Sequence, residues 1–133
     1  MIIDSSAIVA IVKKEQDARV FTDALEAEIN CKMSAATFVE AAVVIDAKRD
    51  PVVSRRYDEI LRDAAVKLIP VDEAQARIAR EAYRDFGRGS GHPARLNFGD
   101  CFAYALAKAS GEPLLFKGED FRHTDVIPAL QGK

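Results

Sequence analysis

The chain opens Met1-Ile2-Ile3-Asp4-Ser5-Ser6-Ala7-Ile8-Val9-Ala10-Ile11-Val12, a strand pattern that runs straight into a helical one. Met1–Asp4 is a short apolar run ending in an acid, which reads as a first strand. Ser5 or Ser6 can cap a helix that continues through Ile8, Val9, Ile11 and Val12 and ends near Lys13-Lys14-Glu15. Further along, Asp17–Ile29 repeats apolar residues at helical spacing, and Asn30–Met33 is a short apolar strand. Ser34 caps a helix running to about Lys48. Pro51, after Asp50, suits the first position of another. Val66–Val71 is a β-branched run carrying Pro70, so it reads as a strand with an edge-like end. Asp72 caps a helix to Phe86, and a loop with three glycines spans Gly87–Arg95. Asn97 caps a helix to about Ser110, which Gly111 stops. Leu114–Phe116 is a further strand, and Val126-Ile127 is a candidate fifth. Strands alternating with helices predict an α/β fold with a mostly parallel sheet of four to five strands and helices on both faces.

The 133 residues are 49% hydrophobic and 30% charged, values of one globular domain rather than a disordered chain. No apolar run is long enough to cross a bilayer, so no membrane role is expected. The first residues carry no basic segment before the apolar ones, so no signal peptide is read. Two cysteines, Cys31 and Cys101, define neither a disulfide framework nor a zinc site. A cytoplasmic location is expected. The net charge is −2, from 19 basic and 21 acidic residues. That argues against a simple DNA-coating protein. If four acids are gathered at a cation site, however, the balance of the rest turns basic.

Ligands of parallel α/β sheets sit beyond the carboxyl ends of the strands, so the acids there are the first candidates. Asp4 closes the first strand. Asp120 follows the Leu114–Phe116 strand, with Glu119 beside it. Glu40 stands among Phe38, Val39, Ala41, Ala42, Val43 and Val44, on a helix apolar nearly all round and therefore expected to be buried. A carboxylate there needs a cation or several donors. Asp100 lies three residues after Asn97, in a second apolar helix. Each acid alone has a structural explanation: a helix cap for Asp4 and Asp100, a salt bridge for Glu40, solvation for Asp120. Together they read differently, because like charges gathered in one pocket oppose folding unless a cation compensates. Oxygen-only ligands suit Mg²⁺ or Mn²⁺. Such a site can bind a phosphodiester and activate water, with no nucleophilic side chain required.

Three segments in this order carry a resemblance. They are Met1–Ile8, Phe38-Val39-Glu40-Ala41, and Arg95-Leu96-Asn97-Phe98-Gly99-Asp100-Cys101-Phe102-Ala103-Tyr104-Ala105-Leu106-Ala107 followed by Pro113–Phe121. The chain resembles a PIN-domain ribonuclease of the VapC kind, the toxin of bacterial toxin–antitoxin pairs. The resemblance implies one three-layer α/β/α domain over residues 1–133 and a divalent-metal-dependent endoribonuclease. It implies Asp4, Glu40 and Asp100 as the three motif acids and Asp120, or adjacent Glu119, as a looser fourth. It further implies Asp4 and Asp100 as direct ligands of Mg²⁺, with Mn²⁺ a plausible substitute. Ser6 matches a small hydroxyl residue that supports the first acid. A cognate VapB-type antitoxin and a homodimer are implied as partners.

Arg88, Arg95 and Lys117 are candidates to guide RNA, and Phe86 and His92 to stack on bases. The faces Ile8–Val12 and Val52–Leu61 are candidates for interfaces, with core packing the plainer reading. No Gly-x-Ser-x-Gly elbow is present. Residues 87–91 lack the dinucleotide fingerprint, and Ser6 excludes an Asp-x-Asp phosphohydrolase. A phosphoaspartate receiver fits poorly. The rival from another class is a catalytically silent PIN-like module that binds RNA or protein without cutting.

Overall fold

A computed structural model describes residues 1–131. The elements are β1 (Ile2–Ile3), α1 (Ser5–Val12), α2 (Ala18–Ala27), β2 (Lys32–Ser34), α3 (Ala35–Asp46), α4 (Pro51–Asp63), β3 (Lys67–Ile69), α5 (Glu73–Phe86), α6 (Phe98–Ser110) and β4 (Leu114–Leu115). A 3₁₀ turn follows at Asp120–His123. The strands form one parallel sheet in the order β3-β2-β1-β4. Alternation along the strands divides the core into two layers. Ile3 and its register partner Leu115 face a cluster built with Ile8, Val12, Phe21, Met33 and Ile45. Ile2 and its partner Leu114 face the opposite cluster, with Ala79, Leu106, Phe116 and Phe121. The result is a three-layer α/β/α domain.

Most helix starts follow the caps read from sequence. The side chains of Ser34, Asp50, Asp72 and Asn97 each accept a backbone N–H of the helix they open. Pro51 occupies the first turn of α4, and Gly111 ends α6 in the left-handed region at φ 68°. At α1 the cap is Asp4, and Ser5 is already helical. β3, which ends just before Pro70, lies at the sheet edge.

Three expectations are corrected. Val126-Ile127 forms no fifth strand. A single parallel bridge joins Leu114 to Pro128, made by Leu114 N–H to Ile127 O at 2.8 Å and Ala129 N–H to Leu114 O at 2.9 Å, and one bridge is not a strand. The second helix stops at Ala27, because Glu28 turns extended and leaves Ile29 exposed. α3 is not buried all round: Thr37, Ala41 and Ile45 face inward, whereas Val39, Val43 and Val44 are exposed. For the faces Ile8–Val12 and Val52–Leu61 the plainer reading, core packing, holds: Ile8, Val12, Tyr57 and Leu61 are buried, while Val52 is exposed.

Candidate active site

The site is built where β1, α3, α6 and the segment after β4 meet. Asp4 follows β1 directly, its N–H donating to Leu115 O at 2.9 Å, and it is only 1% exposed. The Ser6 amide and hydroxyl both donate to Asp4 Oδ2, at 3.0 and 2.6 Å. The other oxygen, Oδ1, is buried with no hydrogen-bond partner among the described residues. Burial pushes the Asp4 carboxyl up to about 6. The Ser6 bonds oppose the shift, and the Glu40 charge adds to it. Ser6 Oγ also accepts the Lys117 N–H at 2.9 Å, so one hydroxyl joins the β1–α1 turn to the chain leaving β4.

Glu40 projects from the middle of α3. Its Oε1 is likewise buried without a partner. Burial raises its carboxyl, a Ser5 hydrogen bond opposes the shift, and the Asp100 charge contributes in the same direction as burial. An isolated buried carboxylate oxygen is costly. Two of them beside a third acid require an explanation that packing does not supply.

Asp100 stands in the first turn of α6 and closes a capping box with Asn97. Asp100 Oδ2 accepts the Asn97 N–H at 2.9 Å, and Asn97 Oδ1 accepts the Asp100 N–H at 2.8 Å. The cap reading is therefore true of Asp100, as it is of Asp4, and in both cases it accounts for one carboxylate oxygen. Burial pushes Asp100 up to about 6. The Asn97 bond opposes this, the charges of Asp4 and Asp120 reinforce it, and Arg88 counters it. Asp120 is exposed at the start of the 3₁₀ turn. Its neighbour Glu119 lies 3.8 Å from Arg122 Nε. Of the two, Asp120 is the one whose charge reaches Asp100.

The acids are thus coupled in pairs: Asp4 with Glu40, Glu40 with Asp100, and Asp100 with Asp4 and Asp120. Among the described residues, no group of three or more His, Cys, Asp or Glu side chains is arranged to hold a metal ion. The donors that are present still fit a hard cation. They are all oxygens, two are buried and unsatisfied, and Mg²⁺ characteristically takes only one or two protein carboxylates and keeps several waters. Gly99 contributes to the same arrangement. The three atoms nearest to an ideal Cβ there all belong to the Glu40 carboxyl, so the carboxyl lies in space a side chain would fill. Sequence reading missed Gly99, and also Ser5 as a donor to Glu40.

A family model for the PIN domain matches residues 1–127. The chain belongs to the PIN-domain family. Ribonuclease VapC28 of Mycobacterium tuberculosis is 55% identical to it over 130 residues, 98% of each chain. Ribonuclease VapC42 of the same species is 54% identical over 129 residues, 97% of this chain and 98% of the relative. A crystal structure of M. tuberculosis VapC20, titled a sarcin–ricin loop cleaving toxin, superposes with a TM-score of 0.75 at 13% identity, covering 95% of each chain. That likeness concerns the fold alone. The VapC resemblance is therefore shown, and this PIN domain is of the kind whose relatives are named ribonucleases.

The basic and aromatic candidates divide. Arg88 and Arg95 are exposed on either side of the 87–96 loop. The loop is closed at its base by Arg88 N–H to Leu96 O at 3.0 Å and Leu96 N–H to Phe86 O at 2.9 Å. Arg95 sits at φ 50° between buried Ala94 and Leu96, which leaves its own side chain outside. Lys117 is differently placed. Its ammonium lies on Glu15 Oε1 at 2.6 Å and Asp17 Oδ1 at 3.1 Å, so its charge is already engaged. Phe86 packs edge-on against Tyr104 and His92 within the domain. His92 Nδ1 accepts the Ala94 N–H at 3.1 Å. Among the described residues, no helix is long and apolar enough to cross a membrane.

Proposed function

We propose that this VapC-type PIN domain cleaves RNA internally as the toxin of a toxin–antitoxin pair, at a divalent-cation site formed by Asp4, Glu40 and Asp100, with Asp120 at its rim. The observation that carries this reading is the pair of buried carboxylate oxygens, Asp4 Oδ1 and Glu40 Oε1, left without partners beside the raised carboxyl of Asp100. Asp4 and Asp100 would hold Mg²⁺, with Mn²⁺ as a substitute. When bound, the cation supplies Lewis acidity and positive charge against the negative charge that develops on a phosphodiester under attack.

The chain's own residues do the rest. Ser6 fixes the Asp4 carboxylate through its 2.6 Å bond, leaving Oδ1 as the oxygen directed to the ligand. The Asn97–Asp100 capping box holds Asp100 on the rigid start of α6. The raised carboxyl of Glu40 suits it to orient a water and take its proton. Arg88, whose charge reaches Asp100, and Arg95 on the same loop would hold the phosphate backbone. A cognate VapB-type antitoxin that masks this acidic site, a homodimer and a cytoplasmic location belong to the same proposal. Exposed Val39, Val43 and Phe98 offer apolar surface for protein partners.

The test is cleavage of mixed cellular RNA by purified protein. EDTA should stop it, Mg²⁺ or Mn²⁺ should restore it, and Asp4→Asn and Asp100→Asn should each remove it while the fold persists. Cleavage indifferent to chelator would reject the cation site. RNA binding without cleavage under any cation would instead favour the silent-module reading.

A further inference from the structure

Gly99 is the second residue of α6, immediately before Asp100. It is not among the glycines with positive φ, so conformational freedom does not explain it. Glycine inside a helix is unfavourable, and some other requirement must hold the position. An ideal Cβ on Gly99 would lie 2.8 Å from Glu40 Oε1 and closer still to Oε2 and Cδ. The Glu40 carboxyl therefore rests against the first turn of α6, the end of a helix that favours negative charge. Contact of this kind is possible only where the helix carries no side chain.

We propose that Gly99 is a positioning residue for RNA cleavage: its missing side chain is the seat that holds the Glu40 carboxyl against α6 beside Asp100. The inference rests on the assignment of Glu40 to the cleavage site. Its physical basis is where the overlap falls. A methyl group at residue 99 would meet the mobile end of one side chain, so the carboxyl would be displaced while the core stayed packed. Asp100, the next residue, would keep its capping box.

Two double-mutant cycles test this. The first measures thermal unfolding in EDTA, without cation or RNA. In a Glu40→Ala background, Gly99→Ala should raise Tm by about 2–4 °C, because alanine is the better helix former. In the Glu40 background the gain should vanish or reverse. Equal shifts in both backgrounds would mean that the methyl never meets the carboxyl, and would overturn the proposal. Loss of cooperative unfolding in Gly99→Ala would overturn it as well, by placing the clash in the core.

The second cycle measures Mn²⁺ affinity by calorimetry, and kcat and KM on a short RNA whose cleavage point has been mapped by end sequencing. Gly99→Ala should lower kcat roughly tenfold with little change in KM, and weaken Mn²⁺ about threefold or more. Glu40→Asp, one methylene shorter, should partly rescue it, with the double variant about fivefold better than the product of the singles. Unchanged kcat and Mn²⁺ affinity in Gly99→Ala, or strictly multiplicative effects, would defeat the functional claim. Wild-type cleavage that persists in EDTA would remove the cation site separately. The apo cycle and kcat would still decide whether Gly99 seats Glu40.

Discussion

Asp4 and Asp100 each use one carboxylate oxygen to cap a helix, and each is pushed up to about 6 chiefly by burial. With the folded value near 6 and the unfolded value near 3.8, the folded state binds its proton more tightly. The favourable contribution is complete below the unfolded value and is lost as pH rises through about 6. For Asp4 the loss is at most roughly 3 kcal/mol. We therefore expect the cation-free protein to gain Tm as pH falls from 7 to 5, with Asp4→Asn and Asp100→Asn flattening the dependence and raising Tm at pH 7. Asparagine keeps an acceptor for the cap, so the variants should stay folded. A Tm that falls steadily over this range, as in ordinary acid denaturation, would contradict the assignment. The acids were legible in the sequence because each stands at a strand end or in an apolar helix. Gly99 was not, since its contribution is the absence of a side chain. The engagement of Lys117 was also hidden, because Glu15 and Asp17 are distant in the chain and only the fold brings them to it.

α6 was the most readable element. Asn97 and Asp100 at capping-box spacing, an alanine-rich body and Gly111 predict its bounds, and Cys101 through Ala107 show why it is central. Asn97→Ala removes one half of the box and leaves the other without its counterpart. It should cost about 1 kcal/mol of stability and lower activity further by loosening Asp100, measurable as a Tm loss with a separate fall in kcat. The turn at Ser6 ties β1, α1 and the segment after β4 together. Ser6→Ala should destabilise by about 1.5–3 kcal/mol, the range for hydrogen bonds to charged groups, and raise the Asp4 carboxyl further, which carboxyl NMR titration would detect. An unshifted Asp4 would show that the hydroxyl does not hold it. α3 was misread for a physical reason. Periodicity marks an inward face by contrast with a polar one, and Val39, Val43 and Val44 give no contrast. Its apolar outer face belongs to a surface that a single chain does not bury.

For the whole molecule, strand–helix alternation was enough to give a parallel three-layer domain, because a β-α-β crossover admits few alternatives. The strand order and the single bridge that residues 127–129 make to Leu114 depend on register, which pattern alone does not fix. A net charge of −2 concealed an uneven distribution: acids gather at the strand ends while Arg88 and Arg95 flank the adjacent loop. If that loop carries the RNA backbone, Arg88→Ala with Arg95→Ala should weaken RNA binding and reduce the salt slope by roughly 1–2. An unchanged slope would remove the loop from the RNA surface.

Crystals grown with Mn²⁺ and Asp120 intact, measured at the manganese absorption edge, give the most direct reading. We expect an anomalous peak at about 2.1 Å from carboxylate oxygens of Asp4 and Asp100, with Glu40 facing it and the peak lost in Asp4→Asn. Manganese bound elsewhere, or absent at a concentration that supports RNA cleavage, would contradict the account.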